Sequence, residues 1–388
     1  MIKKQAGFTM VELLITMVIF VFVMAAGSQI FSGLLTQFKQ QSKISESNIE
    51  GIVGLEMLRR DLEHIGQGLP WIIPAAVIYG EATGPTAANY NDCNGSAPCN
   101  APRAAISGNN ITFSGFSGVD YLVIKATNVA LNDASQRWTT LKMAPFSAPE
   151  NPRQWTPASE NLALSDRVIV ISPGSTDTNA KRLVANGAVF YTTFGNVTNN
   201  PWPPTDNLET RVVYGINGTT DPSPQRPFNR ADYFVTGTDQ SGNNITPQRC
   251  APGTGVLVKA PIRHVTGGNN YDTYLPFLDC VADMQVIFGL DNDGDGDFEP
   301  TVSADGYSDD ISAFTAQQIR DQVKEVRVYI LAHEGQRDPN FTYTTNPVTV
   351  GEFAMGRDFD LAAIIGANWQ NYRWKVYSMT VHSLNLLR

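Results

Sequence analysis

Apolar positions follow three regimes along the chain. Residues 13–38 pass without a single charge. At 1.5 Å per residue that run predicts a helix long enough to cross the hydrocarbon core of a bilayer. After residue 38 the pattern turns amphipathic. Ile44, Ile52, Leu55, Leu58, Leu62 and Ile65 recur at helical spacing, with Lys43, Glu46, Glu50, Glu56, Arg59, Arg60, Asp61 and Glu63 between them. Gly51 and Gly54 weaken this segment as a helix without breaking the stripe, and Gly66-Gln67-Gly68-Leu69-Pro70 stops it. One helix over residues 8–65 would be about 87 Å long. Its second half has one face to bury, which implies a domain folded against it.

Beyond residue 70 the apolar runs are short and rich in Val, Ile, Tyr and Phe, the signature of strands. The expected strands are 111–113, 121–126, 167–171, 188–193, 210–214, 233–236, 255–259, 282–289, 324–332 and 373–384. Tracts rich in Gly, Asn, Pro, Ser and Thr separate them at 80–110, 145–162, 194–208, 216–230 and 237–252. Short helices are expected at 311–322 and 359–366. The predicted fold class is α+β: a long N-terminal α-helix packed on an antiparallel β-sheet, with large loop insertions. The chain divides into residues 1–7, a membrane-length helix at 8–38, an amphipathic stem at 39–70 and a mostly-β domain at 71–388.

Charge changes the picture locally. The chain has 28 Lys+Arg against 37 Asp+Glu, a net −9, so no whole-molecule field gathers nucleic acid. Nine acids and no base fall within 281–310, so the remaining residues balance. Asp291, Asp293, Asp295, Asp297 and Glu299 alternate along this window and repel one another unless a cation or solvent intervenes. Asp291, Asp293, Asp295 and Gly296 match the opening of a calcium loop, in which alternate carboxylates surround a turn-forming glycine. The closing position, normally a bidentate Glu, is Val302, so Asp309 or Asp310 would have to complete a Ca2+ site in three dimensions. A solvated acidic turn is the alternative.

Four cysteines, Cys93, Cys99, Cys250 and Cys280, contain no C-x-x-C pair and allow three pairings. Outside the cytosol the local pairing, Cys93–Cys99 with Cys250–Cys280, is favoured, because residues 94–98 can form a tight turn. Catalytic patterns are missing. Ser117 lacks the glycine of a nucleophile elbow, Gly253-Thr254-Gly255 lacks a third glycine, and His333-Glu334 has no second His at zincin spacing. His64, His264, His333 and His382 suggest no Ser/His/Asp set, so no enzyme is expected.

The N-terminus is the most specific segment. Lys3 and Lys4 form a basic start, which should stay cytoplasmic while the rest of the chain goes outward. Ala25-Ala26-Gly27 would suit signal peptidase, but the apolar run is longer than a signal core and Glu12 sits near its start. An acid within a membrane span costs about 2.5–3.5 kcal/mol and asks for a partner. Gly7-Phe8-Thr9-Met10-Val11-Glu12 resembles the processing site of type IV prepilins and pseudopilins. The resemblance implies cleavage after Gly7 by prepilin peptidase, N-methylation of Phe8, and Glu12 as the fifth residue of the mature chain. Cleavage leaves a positive amine about one helical turn from Glu12. In a bundle of parallel helices that amine can pair with a neighbour's carboxylate and set the axial register.

Two further stretches resemble PilW-type minor pilins. The stem Glu56-Met57-Leu58-Arg59-Arg60-Asp61-Leu62 with its Gly-x-Gly-Leu-Pro exit is one. The other is the order Gly289-Leu290-Asp291-Asn292-Asp293-Gly294-Asp295-Gly296, then Val326-Arg327-Val328, then a basic-aromatic end over 372–388. The resemblance implies a minor pilin that joins or primes a type IV pilus, with other pilin subunits and inner-membrane assembly proteins as partners. It also implies roles in adhesion or twitching motility, and passage from the inner membrane to the pilus fibre at the cell surface. A J-type pseudopilin of type II secretion shares the pattern in a usually shorter chain. A membrane-anchored, calcium-dependent surface-binding module is the reading from another class.

Overall fold

The computed structural model describes residues 9–386 except 94, 97, 144–148, 175–179, 219–222, 266–270, 297 and 301–304, and only the backbone at 36 and 46–48. The long helix α1 spans Met10–Glu63. Among the described residues its apolar first half packs against no other element: residues from Met10 to Phe38 such as Phe20, Phe22 and Phe31 stand 62–71% exposed. At its other end the amide of His64 closes onto the carbonyls of Arg60 and Leu62. Gly66, at φ +78°, then turns the chain away through a conformation that other residues resist.

Among the described residues fifteen strands follow: β1 Ala105–Phe113, β2 Phe116–Ala126, β3 Trp138–Lys142, β4 Arg167–Ser172, β5 Arg182–Leu183, β6 Thr192–Thr193, β7 Thr210–Asn217, β8 Asn229–Thr236, β9 Gly255–Pro261, β10 Leu275–Leu290, β11 Gly306–Ser308, β12 Val323–Glu334, β13 Val348–Val350, β14 Arg357–Phe359 and β15 Arg373–His382. The main sheet runs β1-β2-β8-β9-β10-β12-β15, with β11 added beside β10. Every pairing in it is antiparallel. A second sheet, β3-β7-β4-β5 with β6 on β4, has its own core of Leu141, Val168, Val170, Phe194, Trp202 and Val213. The fold is therefore α+β and pilin-like, with the long helix laid on an antiparallel sheet.

Leu58, Leu62 and Ile65 enter the main core fully buried, beside Leu122, Tyr233, Met284, Val286, Val328 and Val381. Burial of each stabilises by about 1.5–3 kcal/mol. The opposite face of the sheet is covered too, by clusters around Tyr121 and Phe234 and around Leu331, Phe359 and Trp374. With both faces covered, β8 and β9 are buried at every residue. Polar groups there must find partners. Lys125 reaches Glu81 at 2.7 Å and Asp92 at 2.5 Å, and Arg230 reaches Glu81 at 3.2 Å, all with fully or nearly fully buried side chains. These pairs fasten the 77–104 loop to β2 and β8.

Several elements depart from the sequence expectation. Within 188–193 only Thr192–Thr193 is strand, because Asn186 and Val189 exchange backbone hydrogen bonds and close a turn. The helix expected at 311–322 starts at Ala316, where Thr315 and Gln318 form a capping box. The one expected at 359–366 shrinks to Leu361–Ile364 behind Asp360, and Phe359 belongs to β14. Residues 105–110, expected as loop, are strand. Ile52, counted on the inward stripe, is 65% exposed.

Candidate functional site

Three places position the residues singled out by the sequence. At the first, Thr9 and Glu12 form a capping box on α1. The Thr9 amide and hydroxyl donate to Glu12 Oε2 at 3.0 and 2.9 Å, and the Glu12 amide donates to Thr9 Oγ1 at 3.3 Å. Within one chain the carboxylate thus satisfies the orphan amide of its own helix start. Gly7 and Phe8, the expected cleavage and methylation positions, lie outside the described residues, as does Asp297. The helix that follows is long and apolar enough to cross a membrane.

The second place is the seam between stem and domain. Asp61, counted with the solvent-facing charges of the stem, turns inward instead. It accepts hydrogen bonds from the Tyr233 hydroxyl and from Lys259 Nζ, both at 2.7 Å. Arg249 bridges Glu50 of the stem at 3.0 Å and Asp279 of β10 at 2.6 Å. Between these anchors Gly54 lies so close to the backbone of Phe277 that no β-carbon would fit. The C-terminal segment closes the seam from the other side, with the Leu384 amide donating to Glu63 O and the Ser383 hydroxyl to Ile65 O, both at 3.2 Å. Sequence periodicity gave no sign of Tyr233, Arg249 or Lys259 as anchors, because each lies more than 170 residues from its partner on the stem.

The third place is the acidic loop after β10. Carboxylate oxygens of Asp291, Asp293 and Asp305 lie within 4.8 Å of one another. Among the described residues Asp305 is the acid that joins this group, and Asp309 and Asp310 are not part of it. Asp305 staples the loop by accepting from the Asn292 amide at 2.9 Å and the Glu299 amide at 2.8 Å. Asp291 is buried, accepts from the Gly294 and Gly296 amides at 2.6 and 3.0 Å, and has Lys324 Nζ 3.5 Å away. Asp295 and Glu299 are exposed on the same loop.

The cysteines are bonded as Cys93–Cys99 and Cys250–Cys280. Cys280 sits at φ +57° where the β9–β10 register shifts, so the second bond ties the 237–252 loop to a bulge in β10. His333 lies near this disulfide, where its Nε2 accepts from the Ala251 amide at 2.8 Å. Burial pushes its pKa down to about 3, so it stays neutral. His264 is likewise buried and held well below the usual range. Both are packing histidines.

Comparison with known proteins adds the following. Residues 233–385 match the family model described as type IV pilus-assembly protein W, and residues 2–28 match the prokaryotic N-terminal methylation motif. Among solved structures, a type IV-like pilin from Thermus thermophilus aligns over 42% of this chain and 70% of its own. Its identity is 12% and its TM-score 0.22, too loose an overlay to carry an argument. No curated protein matches the chain. A methylation motif leads an exposed apolar helix and a pilus-assembly match runs from within β8 through β15, so over these two stretches the chain is similar to PilW-type minor pilins of type IV pili.

Proposed function

We propose that this chain is a PilW-like minor pilin of a type IV pilus, cut after Gly7, methylated on the new Phe8 amine, and held by a single membrane span with its N-terminus cytoplasmic. From there it enters or primes a pilus through packing of residues 8–38, with its domain facing the periplasm and then the cell surface. Its role is structural. The observation that supports this most is the contrast within one helix: Leu58 and Leu62 are fully buried by the domain, while the apolar residues from Met10 to Phe38 have no cover among the described residues. So much apolar surface requires lipid or other helices. Mass spectrometry of the mature N-terminus tests the reading. Methylated Phe8 is expected; an intact Met1, or an N-terminus at Ser28, overturns it.

The converging carboxylates of Asp291, Asp293 and Asp305 favour a second element, a calcium site that orders the loop. In this reading the cation competes with Lys324 for Asp291 and draws further oxygens from the exposed Asp295 and Glu299.

A further inference from the structure

The second sheet bears an exposed aromatic corner. Trp138 opens the edge strand β3 and is 39% exposed. Trp155, on the segment that returns alongside β3, meets it with ring centroids 4.9 Å apart and planes inclined at 62°. The corner opens into a cleft of about 380 Å3, walled also by Arg137, Ser159 and Glu160. We propose that this cleft is a subsite for neutral, β-linked pyranose oligosaccharides. The inference is independent of how the chain is processed or assembled.

The aromatic corner is preformed. Trp155 donates its indole N–H to Trp138 O at 2.7 Å, its amide donates to Asn161 Oδ1 at 2.7 Å, and Asn161 Nδ2 donates back to Trp155 O at 3.1 Å. The preceding turn is pinned to β3 by the Arg153 amide on Thr140 O at 3.1 Å and by Thr139 Oγ1 on Arg153 O at 2.5 Å. The Arg153 guanidinium sits 4.2 Å from the centre of the Trp155 ring and backs one of its faces. A ligand therefore meets rings that are already ordered, and binding costs little side-chain entropy.

The chemistry of the walls selects the ligand class. With its N–H committed inward, Trp155 offers the cleft a ring and no donor. A π-face is negative, and it attracts the weakly positive axial C–H bonds that cover the flat sides of a β-linked glucose-type ring. The equatorial hydroxyls of such a ring radiate outward and need polar partners at the rim. Ser159 and Glu160 fill that need: among the described residues, neither side chain has a hydrogen bond or an ion pair. Arg137 is 3.6 Å from Asp133 and so is already partly neutralised. A rim with one free carboxylate and a paired guanidinium repels polyanionic glycans and suits neutral ones. The volume is that of a small-ligand site.

Full-length protein in a zwitterionic detergent tests this, since alkyl glycosides would compete for the cleft. Chitotetraose and cellotetraose are the probes, read by saturation-transfer NMR and tryptophan fluorescence. At least one is expected to receive magnetisation on its ring C–H protons. Binding should be about tenfold weaker in Trp138→Ala and largely restored in Trp138→Phe, which keeps a ring and controls for folding. Glu160→Gln, on the exposed rim, should weaken binding severalfold while leaving the melting temperature unchanged. Absence of transfer to both sugars, binding undiminished in Trp138→Ala, or uptake of a proline-rich peptide in place of either sugar overturns the proposal.

Discussion

Gly54 of the stem and Phe277 of β10 meet backbone to backbone: a β-carbon built on Gly54 overlaps the Phe277 carbonyl. Gly51, one turn earlier, packs on the Leu278 side chain in the same way, but against a flexible neighbour. The helix thus crosses the strand closely because it has no side chains there. Gly54→Ala should force the stem off the sheet and cost about 1–3 kcal/mol, the usual range for overpacking. Gly33→Ala, where open space surrounds the site, should not destabilise. Urea unfolding followed by tryptophan fluorescence, with proteolysis at the stem as a second readout, separates the two.

Asp61 is the polar counterpart of that contact. Its carboxylate takes Lys259 and the Tyr233 hydroxyl at once, and the Lys259 side chain is only 6% exposed. Asp61→Asn keeps an acceptor for Tyr233 but leaves a buried ammonium without its counter-charge. A loss of about 1–3 kcal/mol is expected. The double variant Asp61→Asn/Lys259→Met should recover part of it. Midpoints of denaturation for the wild type, the two single variants and the double variant, read as a double-mutant cycle, check the coupling.

The stem and the pilin-like plan were legible in the sequence because both rest on periodicity. An uncharged run, then a helical stripe, then short β-branched runs need only local information. What periodicity does not give is which of two apolar faces a helix buries. Ile52 satisfies the stripe yet is 65% exposed, together with Ile49 and Val53, while the glycines that looked like weak points form the contact. The second sheet was only partly legible for a related reason. Strands of two residues, Arg182–Leu183 and Thr192–Thr193, are too short to show any alternation, and Trp138–Lys142 carries too little apolar character. In the acidic loop, alternate spacing brought out Asp291 and Asp293, but Asp305 joins them by a chain reversal that no spacing rule contains.

Buried carboxylates on the main sheet set a pH dependence. Burial is the main cause that raises Asp120 to about 7, opposed by hydrogen bonds from the Asn110 and Val286 amides and reinforced by the negative Asp283 and Asp309. Burial also lifts Asp283 to about 6, against the pull of Arg357. An acid whose pKa is higher folded than unfolded holds its proton more tightly in the native state. Its contribution is full below about pH 4 and is lost as pH rises through about 6 to 7. Stability should therefore fall between pH 5 and pH 8, and the fall should be smaller in Asp120→Asn. Urea midpoints at the two pH values measure it, and an equal slope in both proteins would remove Asp120 as the source.

Calcium should act through Asp305, because that residue both joins the carboxylate cluster and holds the loop ends. A ligand bound only by the folded state stabilises by about 2.7 kcal/mol when present at a hundred times its dissociation constant. Thermal melts should accordingly rise with Ca2+ and fall back with EDTA. Asp305→Asn should abolish the rise, while Asp358→Asn, on the separate β13–β14 ribbon, should leave it unchanged. A midpoint indifferent to both additions marks the segment as a solvated acidic turn.

Glu12 has two possible duties, and one substitution parts them. As a cap it needs only an oxygen to accept from the Thr9 amide and hydroxyl, a contribution of about 1 kcal/mol to the helix start. As the partner of a neighbour's Phe8 amine it needs a full negative charge in an apolar setting, where an unpaired amine is costly. Glu12→Gln preserves the oxygen and removes the charge; Thr9→Ala keeps the charge and removes the hydroxyl of the capping box. If pairing governs assembly, Glu12→Gln should lose incorporation into filaments as fully as Glu12→Ala, and Thr9→Ala should assemble. Membrane insertion should be unchanged in all three, since residues 13–38 supply it. Immunoblots of sheared filaments against the membrane fraction report both quantities. Filaments that accept Glu12→Gln at the wild-type level would assign Glu12 to the helix start alone.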